Sequence, residues 1–428
     1  MHRVQHAVGL GLRKRFVLLG WLLSGLGAGA ASPAASSYDD IDQAPHHYWK
    51  RPLHDRFTGL KADLESGRIP LDRSGEKAFV MSLLRALDIS PSSQMLVFST
   101  TSLQLSLISP SNPRALYFTE DIYLGYVPGG RVELVSLDPE LGGIFYIFDI
   151  PSQDRPWRIE RSDRCMNCHA GVDTGFVPGL VVKSVVPGPG GGSLDSFRRE
   201  QSGHAIPFRE RFGGWYVTGS YSITQHWGNL TGRLSPQGLV KVQVEPGKLF
   251  NFSRYPASTS DVLAQLVHEH QVGFVNRTVE ASYRARTLLH VAPGPLNPEQ
   301  ELELETQARL LTRYLLFADE APWPAGGVEG DAAFRETFLR HRRTVANGAS
   351  LKDFDLRTRL FKHRCSYMIY SPVFQGLPAP MKQRVYKHLG EALRPEAPPA
   401  DYAYLPAAER KGIRGILTET LPDLPPGW

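Results

Sequence analysis

Cysteine is nearly absent: the chain has three in 428 residues, at positions 165, 168 and 365. That excludes a disulfide-stapled scaffold, and it excludes a zinc ribbon built from two Cys-x-x-Cys pairs. Methionine is almost as scarce, with six residues. Long apolar runs are missing too. The most apolar stretch, Phe16 to Leu26, is glycine-rich and too short for a comfortable membrane span, so no stable span is expected. Net charge is small: of the formal +5, Arg3, Arg13, Lys14 and Arg15 account for four. Without them the chain is close to neutral, and the pI near 9.0 gives no reason to expect a nucleic-acid partner. No internal repeat is visible.

Two of the three cysteines fall in the string Cys165-Met-Asn-Cys-His169. This Cys-x-x-Cys-His spacing attaches a c-type haem, because each thiol can add across one vinyl group while the adjacent imidazole turns back onto the iron. Two other readings compete. A zinc site would need Cys365 and a distant histidine to join the pair. A thioredoxin-like dithiol would sit at a strand end in a βαβ unit, whereas this one follows the charged stretch Arg161-Ser-Asp-Arg164. The expectation is one covalent haem c, anchored by Cys165 and Cys168, with His169 as proximal ligand. Cys365 lies in the apolar run Cys365-Ser-Tyr-Met-Ile-Tyr370 and reads as a buried thiol.

The N-terminus agrees with that chemistry. Residues 1–30 have the basic, apolar and small-residue regions of a cleaved export signal, ending near Ala28-Gly-Ala30, and no nearby cysteine for a lipid anchor. The mature chain is therefore expected in a periplasm or otherwise exported, where cytochrome c maturation machinery attaches haem.

The sixth iron position is less defined. The first methionine after the motif is Met368, deep in the C-terminal half, which argues against the small all-helical cytochrome c fold. His204, His226, His270 and Met368 are the candidates. His270 is favoured, since Val262, Leu263, Leu266, Val267, His270 and Phe274 share one helical face while His268 points away from it. Arg158, Arg161 and Arg164 are candidates for the haem propionates. The backbone of 176–179 is expected to supply a carbonyl that orients the His169 ring.

The rest of the chain predicts α+β architecture, with a β-rich N-terminal half carrying the motif and a helical C-terminal half. A signal at 1–30 is followed by a linker and helical arm over 31–92. Next comes a β-rich haem-binding region over 93–255, then a helical region over 256–428 with a Pro-rich, irregular tail. Strands are expected at 95–98, 115–118, 122–126, 131–135, 143–148, 180–182 and 215–218, and the glycine-rich 187–192 as a flexible connection. Helices are expected from about 260, from the cap Asn297 with Pro298 behind it, and near 332–346, 351–370 and 381–393.

Seven strings carry a family resemblance: Thr101-Ser-Leu-Gln104, Pro113-Arg-Ala-Leu-Tyr-Phe118, Cys165-Met-Asn-Cys-His169, Gly213-Gly-Trp-Tyr-Val-Thr-Gly219, His226-Trp-Gly-Asn229, Glu269-His-Gln271 and Arg364-Cys-Ser-Tyr367. Over roughly residues 50–393 the chain resembles exported, planctomycete-type bacterial proteins with one haem motif, known as cytochrome c domain-containing proteins. It departs from them at Tyr221-Ser222, where they have His-Gly, and at Phe212, where they have tryptophan. The resemblance implies export and haem c. The reading that follows is an exported cytochrome passing electrons to a periplasmic redox partner protein. Its alternatives are a haem enzyme (peroxidase or small-molecule oxidoreductase) with an open sixth site, and a haem-based sensor.

Overall fold

Runs of β-branched and aromatic residues separated by turn signals assemble into one sheet. The computed structural model describes residues 41–151, 157–197, 202–292 and 294–428. The expected export signal and most of the linker lie outside the described residues. The described residues form one compact unit, so the β-rich and helical regions share a core.

In chain order the elements begin with helices α1 (Arg56–Glu65) and α2 (Glu76–Ala86). Strands β1 (Met95–Val97), β2 (Arg114–Phe118), β3 (Ile122–Tyr126), β4 (Val132–Asp138), β5 (Gly142–Phe148) and β6 (Glu160–Arg161) follow, then the single-turn helix α3 (Met166–His169). Next come β7 (Val185–Pro187), β8 (Ser193–Ser196), β9 (Trp215–Tyr216), β10 (Leu230–Ser235) and β11 (Gly238–Gln243). The C-terminal part holds α4 (Val262–Val291), α5 (Pro298–Leu315), α6 (Ala332–Leu339), α7 (Pro372–Gln375), α8 (Ala379–Ala392) and α9 (Ala407–Thr420). The architecture is thus α+β, with a seven-stranded antiparallel sheet of order β6-β5-β4-β3-β2-β1-β9 in the N-terminal half.

The two faces of this sheet do different things. Residues alternate across it, so Tyr146, Phe148 and Ser136 face α1, where Phe57 packs edge-on to Tyr146 and its N–H donates to the Ser136 hydroxyl. The other face carries the cross-strand row Phe118, Tyr123, Val135 and Phe145. Helix α4 lies over that row: Tyr123 donates to Gln271 at 3.0 Å, Tyr283 donates to the Leu141 carbonyl, and Val279 abuts Gly142.

Helix α4 is buried on both sides. Every residue from 261 to 276 is buried, because the sheet covers one side and α5, α7 and α8 the other. A helix enclosed all round shows little amphipathic pattern, so its two faces are hard to tell apart from spacing. Its start is fixed by the Asp261 side chain, which accepts from the Ala264 N–H. Just before it, the fully buried Gln94 uses its whole amide. Nε2 donates to the Ala257 and Thr259 carbonyls, and Oε1 accepts from the Ala257 N–H and from Tyr117.

Several expectations need correction. Residues 180–182 form a loop held to α4 and not a strand, and 187–192 is the turn of the β7–β8 hairpin. The helix expected over 332–346 stops at Leu339. Residues 351–366 are not helical: the Asp355 carboxylate accepts from the N–H groups of Arg357 and Thr358, and Leu356 takes a φ of 63°. An aspartate that bonds forward to its own backbone closes a turn where the apolar spacing read as a helix. The Pro-rich stretches 394–399 and 422–428 are irregular, as expected, with helix α9 between them.

Gln94→Leu should cost about 3 kcal/mol of stability, because it leaves buried donors and acceptors at the entry to α4 unpaired. Urea unfolding would measure it, and a change under about 1 kcal/mol would remove Gln94 from its anchoring role.

Candidate haem-attachment site

The motif sits on a helix too short to hold itself. Helix α3 has four residues, well below the length at which an isolated helix is stable, so its surroundings must fix it. Cys165 is half-buried at its start, Cys168 is exposed, and both thiols are free. Met166 is fully buried beneath them.

His169 is oriented from three directions. Its ring packs on Phe145, centroids 4.5 Å apart. Its Nδ1 lies 2.9 Å from the Gly179 carbonyl, while the Gly179 N–H donates to the His169 carbonyl at 2.8 Å. A carbonyl can only accept, so Nδ1 must carry the proton and Nε2 the lone pair. Burial, reinforced by the Arg114 guanidinium, lowers the pKa of this imidazole to about 4 against the opposing pull of the Gly179 bond. A neutral ring with Nδ1–H held by a carbonyl and Nε2 free is the form that ligates a metal. The stretch 176–179 therefore does contain the expected carbonyl, at its last residue.

Helix α4 positions that carbonyl in turn. Asn276 accepts from the Leu180 N–H and donates to the Leu180 carbonyl, both at 2.8 Å. Gly179 passes so close beneath it that a Cβ there would meet Asn276 and Thr174. Only glycine allows this approach.

The sheet in front of His169 is partly open. Leu116 and Val135 are half-buried among neighbours that are fully covered. Beside them Arg114 and Glu133 pair at 2.8 Å, and Glu133 also accepts from Ser102 and Gln104. The Arg114 side chain crosses Gly125, where any Cβ would collide with the guanidinium. This pair lies beside both Cys165 and His169, and sequence reasoning missed it. A glycine facing Arg114 and Glu133 from the strand between them was the available signal. Of the arginines proposed for propionates, Arg161 is committed elsewhere, lying over Tyr48 and Trp49 and donating to the Tyr48 carbonyl. Arg158 and Arg164 are exposed.

These features fit a haem: two free thiols, a neutral imidazole with Nε2 unprotonated, and half-covered apolar side chains in front of it. They fit the alternatives less well. Burial raises the pKa of the Cys165 thiol, whereas a thioredoxin-like nucleophile needs it lowered. Cys365 is fully buried, and among the described residues no three His, Cys, Asp or Glu side chains converge to hold a metal ion.

The expected distal residues gather away from the motif. His270, the favoured one, is fully buried with both nitrogens engaged, Nδ1 with His204 Nδ1 at 2.8 Å and Nε2 with Ser366 Oγ at 2.7 Å. Tyr314 and Phe317 stack on both imidazoles, and the Ser366 hydroxyl also accepts from the Met368 N–H. His270, His204 and Met368 thus belong to a closed cluster on the side of α4 away from the sheet. His270 has no lone pair left for a metal, which corrects the expectation placed on it. His226 accepts from the Gly228 N–H and packs against Phe212 and Tyr221, the two positions where the chain departs from its resemblance. His268 lies off the face that His270 shares, as the spacing predicted, but that side of the helix is interior too. It is buried against Phe118 and Tyr123 of the sheet.

Comparisons with protein-family models, curated proteins and solved structures return no match to this chain. The functional reading therefore stands on the motif and its geometry. Among the described residues no helix is long and apolar enough to cross a membrane.

Two predictions follow from the site. Asn276→Leu strips both bonds from Leu180 and should lower stability by about 2 kcal/mol, with His169 losing its fixed orientation; denaturant titration and the His169 ring resonances would register both. The second concerns pH in the haem-free Cys165→Ala, Cys168→Ala protein. His46 and His169 have folded pKa values near 4, His268 and His270 near 3, and that of His204 is lowered as well. Their unfolded values lie near 6.5, so the unfolded chain takes up protons first. Their contribution to stability is present above pH 6.5 and lost as pH falls towards 4. Asp261 and Glu320, raised by burial to about 6 and about 7, oppose this, but the histidines outnumber them. The urea midpoint should be lower at pH 5 than at pH 7, and an unchanged midpoint would mean these rings are not buried neutral.

Proposed function

We propose that this chain is an exported monohaem c-type cytochrome that passes single electrons between periplasmic proteins. The observation that carries the reading is His169: its Nδ1–H is tied to the Gly179 carbonyl, leaving Nε2 free one helical turn from two free thiols. Cys165 and Cys168 would anchor the haem and His169 would ligate its iron. The bound haem supplies the one-electron chemistry. The chain keeps His169 neutral, covers one edge of the site with Leu116, Val135 and Phe145, and leaves the Cys168 edge at the surface, where a redox partner can approach. Export of the mature chain, read from residues 1–30, belongs to the same proposal, as does kinship with the bacterial cytochrome c domain-containing proteins.

One observation favours a second reading, a haem enzyme. A cavity of about 360 Å³ opens among Phe118, Thr119, Glu120, Gln271 and Phe334, and Phe118 also touches His268. A small substrate could approach the sheet face that way, provided the sixth iron position were open.

Production with a haem-attachment system decides between these readings. The wild type should hold haem that acid–acetone does not extract, and Cys165→Ala with Cys168→Ala should hold none. A wild type without covalent haem would refute the proposal. A reduced spectrum unchanged by carbon monoxide supports electron transfer; a shifted one, with peroxide turnover, supports the enzyme.

A further inference from the structure

The sheet row that seats His169 seats a second imidazole. Phe118, Tyr123, Val135 and Phe145 stand opposite one another on successive strands β2 to β5, on one face. His169 packs on Phe145 at one end. His268 packs at the other, 5.3 Å from Phe118 and 5.6 Å from Tyr123 between ring centroids. Between the two ends Val135 is half-buried, as is Leu116 beside it, while the Arg114 side chain lies across Gly125.

His268 is 7% exposed, and neither of its ring nitrogens has a hydrogen-bond partner among the described residues. The other buried histidines all have one: His46 bonds Thr287, and His204 and His270 bond each other. Its nitrogens are neither spent on other side chains nor sealed from solvent, so they remain open to a ligand. Its ring is held in place by Phe118, Tyr123 and Trp215, whose indole N–H is fixed on the Lys183 carbonyl.

We propose that His268 is the second axial ligand of the haem, reaching the iron from the side opposite His169. The inference rests on the haem reading above and deepens it. His268 is seated on β2 and β3 and His169 on β5, so the seats stand two to three strand spacings apart, about 10–14 Å. Imidazole–metal bonds are about 2 Å long, so this separation has room for two rings and a metal between them. Helix α4 sets both ligands, His268 directly and His169 through Asn276, Leu180 and the Gly179 carbonyl. Two histidine ligands make a low-spin iron that excludes small molecules, which favours the electron-transfer reading over the enzyme.

The test uses the full haem-loaded chain and reads spin state and carbon monoxide binding, with covalent haem content measured alongside. The wild type should be low-spin and unaffected by carbon monoxide. His268→Ala should keep its covalent haem, turn high-spin and bind carbon monoxide, and added imidazole should restore the low-spin spectrum. His268→Met, which retains a ligating side chain, should stay low-spin with a raised reduction potential. His270→Ala should leave the wild-type spectrum intact. A His268→Ala protein that remains low-spin, or a wild type that already binds carbon monoxide, overturns this inference alone, since its haem is still attached. A wild type without covalent haem overturns the parent reading and this one with it. Should His268→Ala fail to fold, His268→Met carries the decision, and an unchanged potential there counts against ligation.

Discussion

Helix α4 has to satisfy two layers at once, and most of the molecule is arranged around that constraint. Its residues 261–276 are buried without interruption, yet four consecutive ones, His268, Glu269, His270 and Gln271, are polar. Burying polar groups is costly unless each meets a partner, so the surrounding layers must supply partners in several directions. Gln271 bridges Tyr123 of the sheet and Tyr367 of the C-terminal layer. Glu269 faces Arg211 at 3.4 Å, with both side chains almost fully enclosed. His270 closes the cluster with His204 and Ser366. The helix is thus keyed into place by polar contacts around its circumference, and it can then serve as the fixed reference for the loop that carries Gly179.

That arrangement explains what could be read from the sequence and what could not. The strands β1 to β5 were legible because β-branched and aromatic runs between turn signals are a local property. The motif was legible as a string, and the carbonyl acceptor at Gly179 because its bond to the His169 ring joins residues only ten apart in the chain. The cap of α5 was legible for the same reason: Asn297 and Gln300 form a reciprocal capping box. The pairing of Arg114 with Glu133 across Gly125 was not, since it depends on strand register.

The reading of α4 failed for a physical reason. An amphipathic pattern assigns one buried face and one wet face, and on that assumption His270 goes inward and His268 outward. Two residues along a helix turn through about 200°, so the pair does lie on opposite sides. Both sides are interior, however, and the difference between the two histidines is which layer each meets. His270 meets hydroxyl and imidazole groups that consume its nitrogens. His268 meets aromatic rings that offer none.

The same contrast separates the two polar regions of the core by function. The cluster of His204, His270 and Ser366 is complete in itself, stacked between Tyr314 and Phe317, and its role is to join α4 to the C-terminal layer. On the sheet side the chemistry is left incomplete: two free thiols, an Nε2 lone pair on His169, an unpartnered His268 and half-covered Leu116 and Val135 all lie on or beside one sheet face. A core can tolerate one such deficit as an imperfection. Several deficits side by side, next to a helix of only four residues that depends on its surroundings, set this region apart from the closed cluster on the other side of α4.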